Sequence, residues 1–168
     1  MTNSLIKHPL RFILLVLFQV TIFNYVNFLG FINPYPYIIF IVLYPLRNNR
    51  NLFIFIAFLL GLSVDMFSDT GGIHAAASVF IAYIRPVISK FSFGALNEVY
   101  SIKFNNIEFL RRLTYVSLLV FTHHFVVFNL EVFNMSHILT SLKLTLFSGI
   151  FTIILILLIT TIFSSSKK

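Results

Sequence analysis

Residues 138–163 carry one charged side chain, Lys143. A helix that crosses the roughly 30 Å hydrocarbon core of a bilayer needs about 20 mostly apolar residues. This run exceeds that length, and a small soluble domain has no interior large enough to bury it. Shorter apolar runs cover residues 10–29, 37–46, 52–67, 73–89 and 113–128. The composition agrees: 58% of residues are hydrophobic and 10% charged, against about 25% charged in an ordinary soluble domain. The expected fold class is therefore all-α, a polytopic transmembrane helical bundle of about six spans forming a single membrane domain.

The breaks between runs have recognisable chemistry. Asn33-Pro34-Tyr35-Pro36 precedes the shortest run, 37–46, which is expected to be tilted, partly re-entrant, or begun at the prolines. Arg47-Asn48-Asn49-Arg50-Asn51 is a polar break, and Ser68-Asp69-Thr70-Gly71-Gly72 reads as a tight turn. Arg85-Pro86 is expected to end or kink the fourth span. Residues 90–112 mix charges with isolated apolar residues and are expected on the membrane surface. The N-terminal run has a basic start but no small-residue cleavage site, so it reads as a retained first span.

The net charge is +7, but the 12 Lys and Arg residues never form a block of like charge, which argues against nucleic acid as a partner. They are distributed instead as orientation signals, because cytoplasmic loops keep an excess of Lys and Arg near span ends. With the N-terminus in the cytoplasm, Lys7, Arg11, Arg47, Arg50, Arg85, Lys90, Lys103, Arg111, Arg112, Lys167 and Lys168 fall on that side. Only Lys143 falls opposite. Both ends are therefore expected in the cytoplasm, and the even number of crossings this requires supports counting 37–46 as a span. There is no cysteine, which excludes disulfides, a thiolate nucleophile and a Cys-based zinc site.

Polar residues inside spans are costly and mark the first places to look for function. In this topology Asn24, Asp65, His74, Glu131 and Lys143 share one layer in the outer half of the bundle. They are expected to form a polar cluster, with Lys143 paired to Asp65 or Glu131; solvation at headgroup level is the competing reading for Glu131 and His74. Gly61 lies one helical turn before Asp65, and Ala75, Ala76, Ala77 and Ser78 supply small residues, so spans three and four are expected to approach closely. His123 and His124 point about 100° apart on a helix. They lack the i, i+4 spacing of a two-His metal site, and interhelical hydrogen bonding is expected of them, as of Gln19. No phosphate loop, nucleophile elbow or paired-carboxylate motif is present, and no catalytic residue, metal or cofactor is expected.

The stretch Gly61-Leu62-Ser63-Val64-Asp65, followed by Thr70-Gly71-Gly72-Ile73-His74-Ala75-Ala76-Ala77 and closed by Ala82-Tyr83-Ile84-Arg85-Pro86, resembles the rod shape-determining MreD family. His123-His124-Phe125 and Asn129-Leu130-Glu131-Val132-Phe133 are similar to its form in the Bacteroidota. The resemblance covers residues 61–133. It implies a non-enzymatic scaffold of the bacterial inner membrane that acts with MreC in wall elongation and cell shape, reaching wall synthases and the actin-like MreB through that complex. It also implies an architecture similar to the substrate-binding subunits of energy-coupling-factor transporters. Arg85, Arg111 and Arg112 would then face anionic lipid or a cytoplasmic protein. Two other readings compete: a membrane subunit binding or transporting a small metabolite, and an intramembrane enzyme or proton channel using Asp65 and His124.

Overall fold

A computed structural model describes residues 2–45, 49–94, 107–132 and 138–165, with side chains described between residues 8 and 162 of those ranges. The elements are α1 (Thr2–Thr21), a 3-10 turn (Phe23–Tyr25), a second 3-10 turn (Pro36–Ile38) leading into α2 (Ile39–Leu43), then α3 (Arg50–Ser68), α4 (Ile73–Phe93), α5 (Phe109–Val132) and α6 (Ile138–Ser165). Five helices are long and apolar enough to cross a membrane: α1, α3, α4, α5 and α6. The sixth expected span is a different object. Of residues 37–46, the described ones, 37–45, supply the last two residues of a 3-10 turn and a five-residue helix.

Local chemistry sets most of the boundaries. Asn49 caps α3, its side-chain oxygen accepting from the Asn51 N–H at 2.9 Å. The α3–α4 turn places Asp69, Gly71 and Gly72 at positive φ, the last at 99°. Pro86 does not end α4, which continues to Phe93 and stops at Gly94, where φ is 76°. Residues 90–93 and 109–112, expected on the surface, belong instead to α4 and α5. Residues 95–106 of that surface segment lie outside the described residues, as do Arg47, Lys103, Lys167 and Lys168. The first span stops at Thr21 rather than near residue 29, because Asn24, Asn27, Gly30 and Asn33 interrupt the apolar pattern.

The directions of the helices explain the short element. The His8 ring lies 5.4 Å from that of Tyr44, which stacks on Phe53 at 4.6 Å, so α1 and α3 begin at the same end of the bundle. At the other end Asn24, just beyond α1, donates to the Ser68 hydroxyl at 2.8 Å. Helices α1 and α3 are thus parallel. The chain between them must return the full depth of the bundle, and residues 33–44 do so through its interior. Tyr37, Ile38, Ile41 and Val42 have no exposed surface at all. With α4 antiparallel to α3, and α5 and α6 continuing the alternation, α6 finishes at the end where α1 begins. Five long helices and one irregular return segment thus take the place of the six helical spans expected from the charge pattern.

Helices α3 and α4 form the tightest pair. A Cβ added to Gly61 would sit 2.5 Å from Ala75 Cα and 2.6 Å from Ala75 N, and would also strike the His74 carbonyl oxygen. These are backbone atoms that cannot rotate aside. Ala75 and Ala77 are buried at this seam, whereas Ala76 is exposed and takes no part in it. Gly61→Ala is expected to destabilise the protein by about 2 kcal/mol through overpacking. Gly149→Ala meets only the Phe121 ring, at 2.8 Å, and should cost less than about 1 kcal/mol because that side chain can turn. Thermal unfolding of the two variants in mild detergent checks the order.

Candidate functional site

Asp65 stands one turn beyond Gly61 and so faces the start of α4. Its carboxylate accepts from the backbone N–H of His74 at 2.9 Å, the N–H of Ala75 at 2.8 Å, and the Thr70 hydroxyl. The first N–H groups of a helix have no partner within it, and Gly72 at the N-cap position of α4 offers no side chain to supply one. Asp65 caps α4 from the preceding helix, with its negative charge at the positive end of the helix dipole. It therefore has no need of Lys143. That residue is exposed on α6, its ammonium 5.1 Å from the centre of the Phe31 ring. Glu131 is exposed as well. Among the described residues the ion pair present is Arg111 with Glu108, at 3.5 Å. The expected pairing of Lys143 with Asp65 or Glu131 is not formed.

The expected outer cluster is thus only partly assembled. Gly61, Asp65 and His74 come together. Asn24 belongs to a neighbouring chain of amides and hydroxyls, accepting from Gln19 at 3.1 Å and donating to Ser68. What completes the centre is a pair of tyrosines. The Tyr37 hydroxyl lies 3.1 Å from His74 Nδ1 and 2.6 Å from His123 Nε2, bridging α4 and α5. The Tyr35 ring packs against His74 and His124 at centroid distances of 4.8 and 5.1 Å.

The adjacent histidines are both fully buried, and they serve different seams. His123 turns to Tyr37 and the return segment, while His124 turns to α6. The Val120 carbonyl, 2.9 Å from His124 Nδ1, can only accept, so that nitrogen carries the proton. Nε2 lies 3.1 Å from the Thr152 hydroxyl, whose one hydrogen is shared between that nitrogen and the Ser148 carbonyl at 2.8 Å. His124 thus contacts another helix, as expected of the pair, whereas His123 pairs with the return segment. No group of three His, Asp or Glu among the described residues is arranged to hold a metal ion.

The other polar residues of the interior attend to the backbone of the return segment. The Asn33 N–H donates to the Ser148 hydroxyl and the Tyr35 N–H to that of Thr152, both at 3.1 Å. Gln19 donates to the Pro34 carbonyl at 3.4 Å. At the other end Arg85 Nη2 donates to the carbonyls of Val42 (3.1 Å) and Tyr44, its Nε donates to the Tyr115 hydroxyl at 2.6 Å, and Tyr115 donates to Val42 at 3.2 Å. Arg85, expected to meet lipid or a cytoplasmic protein, is wholly buried and holds the C-terminal end of α2. Its guanidinium also lies 5.1 Å from the centre of the Phe53 ring. Arg111 is exposed as expected; Arg112 is half-buried, its guanidinium 5.7 Å from the Phe109 ring centre.

Thr70 is read from the sequence only as part of the turn and not as a partner of Asp65, and Tyr115, Ser148 and Thr152 are not singled out at all. A signal for the last two is present. Ser141, Thr145, Ser148, Thr152 and Thr160 recur at three-, four- and eight-residue steps along an otherwise apolar helix, and all are buried. The hydroxyl stripe, rather than any apolar stripe, marks the inward face of α6.

Asp65→Ala strands three donors and is expected to cost at least about 3 kcal/mol, since each buried donor left unsatisfied costs about 1–3 kcal/mol, with Asp65→Asn losing about half as much. Lys143→Ala should change stability by less than about 0.5 kcal/mol, as an exposed substitution; a large loss there would restore the ion pair. Unfolding midpoints in detergent distinguish these outcomes. The chain matches no known family model, no curated protein and no solved structure.

Proposed function

We propose that this chain is an MreD-like scaffold of a bacterial inner membrane, acting with MreC to regulate wall elongation and cell shape, without turnover of its own. The observation that carries the reading is the unit made by Gly61, Asp65, Thr70, His74 and Ala75. These are the residues on which the resemblance rests, and they touch one another: the glycine admits the α4 backbone, and the aspartate caps it. A motif whose parts depend on each other in space is poorly explained by chance spacing. The unit also uses its carboxylate for architecture, which suits a scaffold better than a catalyst.

Arg50, Lys90, Arg111 and Arg112 lie at one end of the bundle and Lys143 near the other. By the positive-inside rule we read the first end, where α1 begins and α6 finishes, as the cytoplasmic one. The helices turn large apolar side chains outward, among them Phe55, Met66 and Phe67 on α3 and Phe91 on α4, which the anchor helix of a partner or lipid would cover.

Depleting the protein in its host tests the reading. Loss of normal cell shape by microscopy, with MreC no longer co-purifying with Asp65→Ala when that variant is expressed at the native level, is the expected result. Unchanged shape after depletion would refute it.

A further inference from the structure

Eight buried side-chain polar atoms have no hydrogen-bond partner among the described residues, and four of them belong to one seam: Arg85 Nη1, Ser89 Oγ, Ser92 Oγ and Arg112 Nε. Arg85, Ser89 and Ser92 are spaced i, i+4, i+7 and so share one face of α4. Tyr115 fixes which neighbour that face meets, since its hydroxyl accepts from Arg85 and its ring packs 4.8 Å from that of Phe93. Arg112 precedes Tyr115 by one turn of α5. The four atoms therefore line the basic end of the α4–α5 seam, and every one of them can donate a hydrogen bond.

Among the described residues no acid compensates the charge there. Arg85 is wholly buried, and its bonded partners are two carbonyls and a phenol, all neutral. The acid near Arg112 in sequence, Glu108, is exposed and pairs with Arg111. A buried cation without an anion is strongly unfavourable, and unpartnered buried donors add to the penalty. Two guanidinium edges and two hydroxyls set along the same end of one seam offer donors and positive charge suited to the several acceptor oxygens and negative charge of a phosphate.

We propose that this seam is a phosphate-binding site, occupied by the phosphate of an anionic phospholipid headgroup or by a soluble phosphate. The site needs neither the scaffold reading nor an assigned orientation.

The test uses the full chain in phosphatidylcholine nanodiscs, with Ser89→Ala/Arg112→Gln as the site variant. Arg85 is left intact because it also holds α2. Arg111→Gln removes an equal charge outside the seam and serves as the control. In one arm phosphatidylglycerol is added to the nanodisc and retained lipid is measured by native mass spectrometry; in the other, inorganic phosphate is titrated against chloride and the unfolding midpoint is followed. Preferential binding in the first arm identifies a headgroup, and in the second a soluble phosphate. In whichever arm responds, the site variant should bind about tenfold more weakly, the effect of losing one charge-assisted hydrogen bond, and Arg111→Gln should match the unaltered chain. No preference in either arm, or equal losses in the control and the site variant, would overturn the proposal.

Discussion

A backbone N–H or C=O that leaves a helix inside a membrane must find its partner in the protein, because hydrocarbon supplies none. That requirement governs this molecule. Helices α1 and α3 run parallel, so the chain between them has to come back through the bundle, and it does so with only a short turn and the five residues of α2 in helical form. The donors and acceptors that a regular helix would have satisfied internally are met instead by side chains from four surrounding helices: Gln19 of α1, Arg85 of α4, Tyr115 of α5, and Ser148 and Thr152 of α6.

This changes the meaning of polar residues in the spans. Intramembrane ionisable groups are by default suspected of transport or catalysis, and Asp65, His124 and Arg85 all invite that suspicion. Here Asp65 caps α4, His124 joins α5 to α6, and Arg85 holds the end of α2. Each solves a problem of unsatisfied backbone or of helix contact that the irregular traversal and the close α3–α4 seam create. Gly61 belongs to the same economy, since only a residue without a side chain lets α4 come near enough for Asp65 to reach its first turn.

The helical membrane class, the positions of α3, α4 and α6 and the tight turn at 69–72 were legible because hydropathy, glycine and aspartate act locally. The basic residues report a side for each loop without reference to tertiary structure, but they do not say whether the chain between two loops is helical, and five long helices are found where six spans were expected. The form of the second traversal was not legible. An apolar run of ten residues looks the same whether lipid or protein surrounds it, and only the partners of Asn33, Tyr35, Val42 and Tyr44, supplied from over 30 residues away, decide the matter. The Lys143 pairing failed for a related reason: Asp65 has nearer donors in the backbone of the very next helix.

The central claim is that the chain between α1 and α3 crosses the membrane inside the protein. Because the sequence has no cysteine, single cysteines can be placed at the exposed positions Asn27, Asn51, Asp69 and Glu108 and labelled with a membrane-impermeant thiol reagent from either face of sealed vesicles. The account predicts that Asn27→Cys reacts from the same face as Asp69→Cys, and Asn51→Cys from the opposite face together with Glu108→Cys. Labelling of Asn27→Cys and Asn51→Cys from one face would contradict it, because the segment between them would then enter and leave the membrane on the same side.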